Sequence, residues 1–230
     1  MTSPSFIEVG DRRIAYRFRA GAEPTLVFLP GYASDMEGAK ALALDGFTER
    51  RELAMLRLDY SGTGSSGGQF ENGTLSAWLE EVLAAVDQLT RGPLIVIGSS
   101  MGGWIALHLA LVRPDRVRAM VGIASAPDFT DWGFADGAAA EQAGLARTFW
   151  ESGQRLLLLD NVIPIDCPVR LLHGEQDGDV PLDVAFRTMR ALRSSDVQLN
   201  VLKGGGHRLS EPHEIDAILR TVAALLEPRS

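Results

Sequence analysis

Apolar and polar positions along this chain follow two periods, and these predict its elements. Residues 7–9 and 13–18 read as two short strands around a turn at Gly10 and Asp11. The run TLVFL, 25–29, is continuously apolar and stopped by Pro30 and Gly31, the pattern of a strand buried on both faces. Residues 39–51 are predicted helical, and LAMLRL, 53–58, is the next strand. Leu75, Trp78, Leu79, Val82, Val86 and Leu89 recur with helical spacing, so a one-faced helix opens at Thr74 and stops at Gly92 and Pro93. LIVI, 94–97, is a third buried strand. Residues 101–113 are apolar nearly all round and predict a helix covered on most sides. Strands follow at 118–124, 169–173 and 197–202, with helices at 182–192 and 215–226.

Strands alternating with helices predict an α/β fold, a mostly parallel sheet flanked by helices on both faces. The block 127–164 breaks the rhythm. It mixes Gly, Ala and aromatic residues with a short leucine run, and is expected to be a short cap inserted over the sheet within a single domain, 1–230. Phe129, Trp132, Phe134, Phe149 and Trp150 are its expected walls. No internal repeat and no low-complexity linker interrupts the chain.

Composition narrows the functions open to such a fold. Charged residues make up 23% and hydrophobic residues 46%, a balance that excludes disorder. The formal charge of −8 disfavours nucleic acid as a partner. The one cysteine, Cys167, rules out an internal disulfide or a thiolate metal cluster, and is read as a small buried hydrophobe. The first residues have no apolar core of a secretory signal, and no run is long enough to span a bilayer, so the expectation is a cytoplasmic protein without membrane insertion. Oligomeric state is left open.

GTGSSG, residues 62–67, matches the dinucleotide fingerprint G-x-G-x-x-G. Its context does not fit. The third glycine of that motif must lie in a helix that starts at the turn, whereas here helix resumes only at Thr74. Glu80 and Glu81 fall mid-helix, where no ribose would be held. The segment reads as a loop.

GSSMG, 98–102, is a stronger motif. It is G-x-S-x-G between a strand and a helix, the setting of a nucleophile elbow. The spacing selects Ser100, because a Ser99 nucleophile would need glycines where Ile97 and Met101 stand. Such a serine requires a base and a carboxylate to orient it. Asp177 follows the strand VRLLH and His207 follows VQLNVL, giving the chain order serine, acid, histidine at C-terminal strand ends. Asp179 and Glu175 are the alternative acids. His108 reads as a core histidine, His173 as a partner of its adjoining loop and His213 as exposed. His207, Glu211 and His213 lack the spacing of a metal site. Neither a cofactor nor a metal is expected. The backbone amides of Tyr32 and Met101 are the expected oxyanion donors.

With these residues placed, the chain resembles the α/β-hydrolase superfamily along nearly its whole length. Residues 59–66, DYSGTGSS, are similar to that superfamily's D-x-x-G-x-G-x-S loop after the fourth strand, which implies a structural role for Asp59. The segments PGYASDMEGAKALAL, RLDYSGTGSS, GSSMGGWIALHLA and CPVRLLHGEQDGDVP resemble the mitochondrial palmitoyl-protein thioesterase and acyl-glucuronide esterase group and its bacterial relatives. The resemblance implies hydrolysis of a carboxylic ester or acyl-thioester, on a small molecule or an acylated protein, through Ser100, Asp177 and His207. Amide or C–C bond hydrolysis, or a non-catalytic binding role, are the alternatives. The block 127–164 departs from the group and is shorter. Gly206 stands where a more polar neighbour of the histidine is expected, which points to a looser base loop.

Overall fold

The computed structural model describes residues 3–227; the remaining positions of the expected 1–230 domain lie outside the described residues. Eight strands form one sheet in the order β1-β2-β4-β3-β5-β6-β7-β8. β1 (Ser5–Val9) and β2 (Arg12–Arg19) make an antiparallel hairpin, and β2 pairs antiparallel with β4 (Leu53–Leu58). From β4 onward the neighbours are parallel: β3 (Ala22–Leu29), β5 (Leu94–Ser99), β6 (Val117–Ile123), β7 (Val169–Gly174) and β8 (Val197–Leu202).

The period of two along β3 shows why the apolar runs are strands. Val27 and Leu29 pack into one core with α2 (Leu75–Leu89) and α3 (Met101–Val112). Leu26 and Phe28 pack into the other with α1 (Ala39–Arg50) and α8 (Pro212–Leu226). Both faces are covered, so no polar alternation interrupts the central strands. α7 (Leu182–Ala191) connects β7 to β8. Thr74 caps α2 as its spacing predicts, its hydroxyl accepting from the Ala77 amide at 3.2 Å. α8 starts three residues earlier than its apolar pattern. Pro212 fits the first turn, and Glu211 and Glu214 form a reciprocal capping box. Among the described residues no helix is long and apolar enough to cross a membrane.

Between β6 and β7 the chain folds into three short helices, α4 (Phe129–Trp132), α5 (Gly137–Gln142) and α6 (Arg147–Gln154). They lie beside the C-terminal end of the sheet, with α6 against α2. Their tail is tied to the body of the protein. Buried Asp128 accepts the amides of Leu158 and Leu159, at 2.9 and 2.7 Å to one oxygen. The Leu156 carbonyl accepts from the Trp104 indole and faces His108 Nε2 at 2.9 Å, both side chains projecting from α3. His108, as expected, is a buried packing residue; burial lowers its pKa, so its ring is held neutral.

Candidate active site

The turn between β5 and α3 forces an unusual backbone on Ser100, with φ 54° and ψ −123°. A side chain in this region is strained, and such strain persists only where the surroundings impose it. Here two glycines impose it. A Cβ on Gly98 would lie 2.3 Å from the Gly102 carbonyl oxygen, and one on Gly102 would lie 2.2 Å from that of Leu29. Only glycine lets β3, β5 and the start of α3 approach this closely. Ser100 therefore stands at the helix N-terminus with its hydroxyl in a cleft, whereas Ser99 is buried on the strand.

His207 arrives from the loop after β8. Its Nε2 lies 3.1 Å from Ser100 Oγ, and its Nδ1 lies 2.9 Å from Asp177 Oδ2. Asp177 arrives from the loop after β7, its side chain only 1% exposed. Its other oxygen accepts the amides of Asp179 and Val180, both at 2.9 Å. Burial raises the pKa of this carboxyl. The His207 contact and the two amides outweigh that, and the net shift is downward. The ionised carboxylate then selects the tautomer with a proton on Nδ1, leaving Nε2 free to accept from the serine.

Neither alternative acid holds His207, whose ring nitrogens face Asp177 and Ser100, although Asp179 lies beside them. Asp179 is exposed, and Glu175 accepts the Gly204 amide at 3.0 Å, which braces the loop that carries His207. Further ties are Gln176 N–H to the Gly205 carbonyl at 2.8 Å and Lys40 Nζ to the Arg208 carbonyl. The looseness anticipated at Gly206 is thus offset by neighbours that the sequence does not reveal. His173 is buried and meets the Val180 carbonyl at 2.9 Å, as its reading as a loop partner anticipates. His213 is exposed, and the Glu211 side chain is engaged in its capping box. Asp177, Asp179 and His207 are close enough to share a cation. However, both ring nitrogens of His207 already face Asp177 and Ser100.

The loop 30–32 runs beside the serine: a Cβ on Gly31 would lie 3.2 Å from Ser100 Cβ. Tyr60 fixes this loop. Its ring stacks on Trp78, and its hydroxyl donates to the Pro30 carbonyl at 3.0 Å. Asp59 holds the next turn, accepting from Met36 N at 2.7 Å, while its second oxygen accepts from Ser65 N at 2.8 Å. A Cβ on Gly64 would collide with the Asp59 carboxylate, which accounts for that glycine. The GTGSSG segment thus wraps a buried aspartate instead of a pyrophosphate. Glu81 completes the brace. It is fully buried and accepts the Ser61 amide at 2.9 Å, with Arg12 beside it at 3.0 Å. Sequence reasoning placed Glu81 mid-helix without a role. Its position on the apolar stripe, three residues after Trp78 and four before Ala85, was the available signal.

Two cavities meet at Ser100 and His207. One, about 460 Å³, is polar and carries Ser34, Asp35, Lys40, Arg208 and Ser210. The other, about 230 Å³, is walled largely by Met101, Ala126, Phe129, Trp132, Phe134 and Val180. Of the five aromatic walls expected from the 127–164 block, Phe129, Trp132 and Phe134 line this cavity. Phe149 instead packs in the core behind Tyr32, and Trp150 lies against Gly137.

Comparison with known proteins places the chain among others. The alpha/beta hydrolase fold family matches residues 24–144. Human mitochondrial palmitoyl-protein thioesterase ABHD10 is 35% identical over 250 aligned residues, covering 100% of this chain and 82% of the relative. The structure of mouse alpha/beta hydrolase domain-containing protein 10 superposes with a TM-score of 0.91 at 33% identity, covering 98% of each chain. A putative hydrolase from Agrobacterium vitis gives a TM-score of 0.90 at 37% identity over 99% of each chain. The expectation of a cytoplasmic protein is corrected by these relatives, whose names place them in mitochondria. It had rested on the absence of an N-terminal apolar stretch, which speaks to secretion and not to other compartments. By fold, sequence and structural likeness, the chain is a hydrolase that belongs to the α/β-hydrolase family.

Proposed function

We propose that the chain is a serine hydrolase of carboxylic esters or acyl-thioesters, built as one domain with residues 127–164 as its cap. The observation that carries this reading is the relay from the Ser100 hydroxyl through His207 to the buried Asp177 carboxylate. Ser100 Oγ attacks the acyl carbon while its proton passes to His207 Nε2. The carbonyl oxygen becomes an oxyanion facing the Tyr32 amide, from the loop after β3, and the Met101 amide at the N-terminus of α3. As the tetrahedral adduct collapses, the bond to the alcohol or thiol breaks, and His207 returns its proton to that group. Water then attacks the acyl-serine, His207 again taking and returning the proton, and a carboxylic acid leaves. No step uses a cofactor. The apolar cavity suits the acyl group and the polar cleft the departing group. The name of the human relative, a palmitoyl-protein thioesterase, favours a thioester carried on a protein, and an ester or thioester of a small molecule is the other substrate class the site would take.

A fluorophosphonate probe should attach to Ser100. Ser100→Ala should abolish labelling and Ser99→Ala retain most of it, with peptide mapping as the check. An adduct on Ser99 would remove the elbow assignment. Tyr60→Phe should reduce kcat about fivefold with little change in KM, since the Pro30 carbonyl loses a neutral hydrogen bond worth about 1 kcal/mol. A change confined to KM would show that this bond does not position the oxyanion loop.

A further inference from the structure

The apolar cavity beside Ser100 is small. At about 230 Å³ it falls below the roughly 300 Å³ at which pockets for drug-sized ligands begin. A chain of sixteen carbons does not fit inside it. A second cavity of about 300 Å³ lies nearby, lined by Phe70, Glu71, Leu145 and Ala146 among others, and it reaches neither Ser100 nor His207. One residue lines both cavities: Tyr32.

The Tyr32 ring is built as a partition. Four rings surround it, Phe70 at 4.9 Å, Phe149 at 5.0 Å, Trp78 at 6.0 Å and Phe129 at 6.3 Å between centroids. Phe129 stands on the side of the acyl cavity and Phe70 on the side of the second one. The ring is only half-buried, and its hydroxyl makes no hydrogen bond among the described residues. Packing against the core and these rings, three of them edge-on and one tilted, holds the side chain in place, so the backbone of Tyr32 and its side chain answer to different restraints. The backbone is set by the Pro30 carbonyl and Tyr60. The ring is set only by packing.

We infer that the Tyr32 side chain determines acyl-chain length in this site: it ends the acyl cavity, and long-chain acyl groups reach the second cavity only where the ring yields. This inference rests on the proposed serine-hydrolase reading, with the acyl group on the apolar side of Ser100. It assigns to one residue two separable roles, an oxyanion donor through its amide and a chain-length stop through its ring.

The test is kcat/KM for p-nitrophenyl butyrate, octanoate, laurate and palmitate. For the wild type the value should rise through octanoate and then flatten, because a methylene contributes about fourfold, or about 0.8 kcal/mol, only while the cavity covers it. Tyr32→Ala keeps the amide and removes the ring. It should raise the palmitate-to-octanoate ratio about tenfold or more, several newly covered methylenes at the same increment. Tyr32→Leu, a smaller change, should shift the ratio in the same direction and serves if Tyr32→Ala does not fold. Adding Ala146→Trp to Tyr32→Ala fills the second cavity and should return the ratio toward the wild-type value. A crystal structure of Tyr32→Ala carrying a dodecyl phosphonate on Ser100 should show the chain beside Leu145 and Ala146. A uniform loss on all four esters would overturn the inference, showing that the ring only props the loop. So would a gain that survives Ala146→Trp. Failure of the phosphonate to label wild-type Ser100 would instead remove the underlying hydrolase reading, and the two outcomes are distinct.

Discussion

Asp177→Asn should lower kcat by about 10⁴-fold while the protein stays folded. The reason lies in how the two carboxylate oxygens are used. Oδ1 accepts the amides of Asp179 and Val180, and both are donors. An asparagine must turn its own oxygen to them, which places its NH₂ where Oδ2 now faces His207 Nδ1. Two donors cannot face one another. His207 therefore shifts its proton to Nε2, and that nitrogen can no longer accept from Ser100. His207→Ala should cost as much, since it removes the proposed base itself. Asp179→Asn is the control: the side chain is exposed and should change kcat by no more than a few-fold. Turnover of p-nitrophenyl butyrate, with thermal melting to verify folding, decides the matter. Near-normal turnover in Asp177→Asn with a large loss in Asp179→Asn would transfer the acid role to Asp179. Because the Asp177 carboxyl is held below its ordinary pKa of about 3.9, its charge is stabilising above that value and is lost only as pH falls through the lower, folded-state pKa. Mild acid should therefore leave this carboxylate ionised.

Choosing between Asp177 and Asp179 shows what a sequence can and cannot carry here. Strand ends were legible because TLVFL, LIVI and VRLLH are apolar on both faces, and the structure extends each of them by one to three residues at one end only. The relative order of Ser100, Asp177 and His207 was legible because parallel strands deliver their loops to one edge. Two acids two residues apart in one loop are a different matter. Which of them turns inward depends on the amides that close around Asp177, and residue types do not encode that closure.

The 127–164 block resisted for another reason. Its helices are four, six and eight residues long, too short for a period of 3.6 to declare itself. They are held by contacts distant in sequence, such as Trp104 to Leu156 and Ser152 to Ser76. Composition alone therefore misjudged which aromatic residues wall the cavity. Phe149 looked like a wall and is core, because α6 turns it toward Tyr32 and Trp78. Glu81 was missed because its place on the apolar stripe signals burial but does not name the partner, the Ser61 amide, that a buried carboxylate requires.

Gly102→Ala should damage folding and activity together. The added methyl would sit 2.2 Å from the Leu29 carbonyl oxygen and 2.5 Å from that of Pro30. Both are backbone atoms of the strand end and of the loop that carries the Tyr32 amide, so no side chain can move aside. Relief requires the N-terminus of α3 to withdraw from β3, carrying Ser100 and Met101 with it. Overpacking that must be relieved by backbone movement costs about 3 kcal/mol or the whole fold. In a chain of this size that cost lowers Tm by roughly 6–12 °C. Displacing the serine from the proposed oxyanion donors by about 1 Å should cost a further hundredfold or so in kcat. Gly206→Ala supplies the contrast. A Cβ there meets nothing within 4 Å, so Tm should hold within about 2 °C, the usual range for an unstrained surface change. Its turnover should stay within a few-fold, since the ties at Gly204, Gly205 and Arg208 hold the base loop independently. A Gly102→Ala protein that melts and turns over like the wild type would mean that the close approach of β3 to α3 is not what sets the Ser100 backbone. The strain at φ 54° would then need another source.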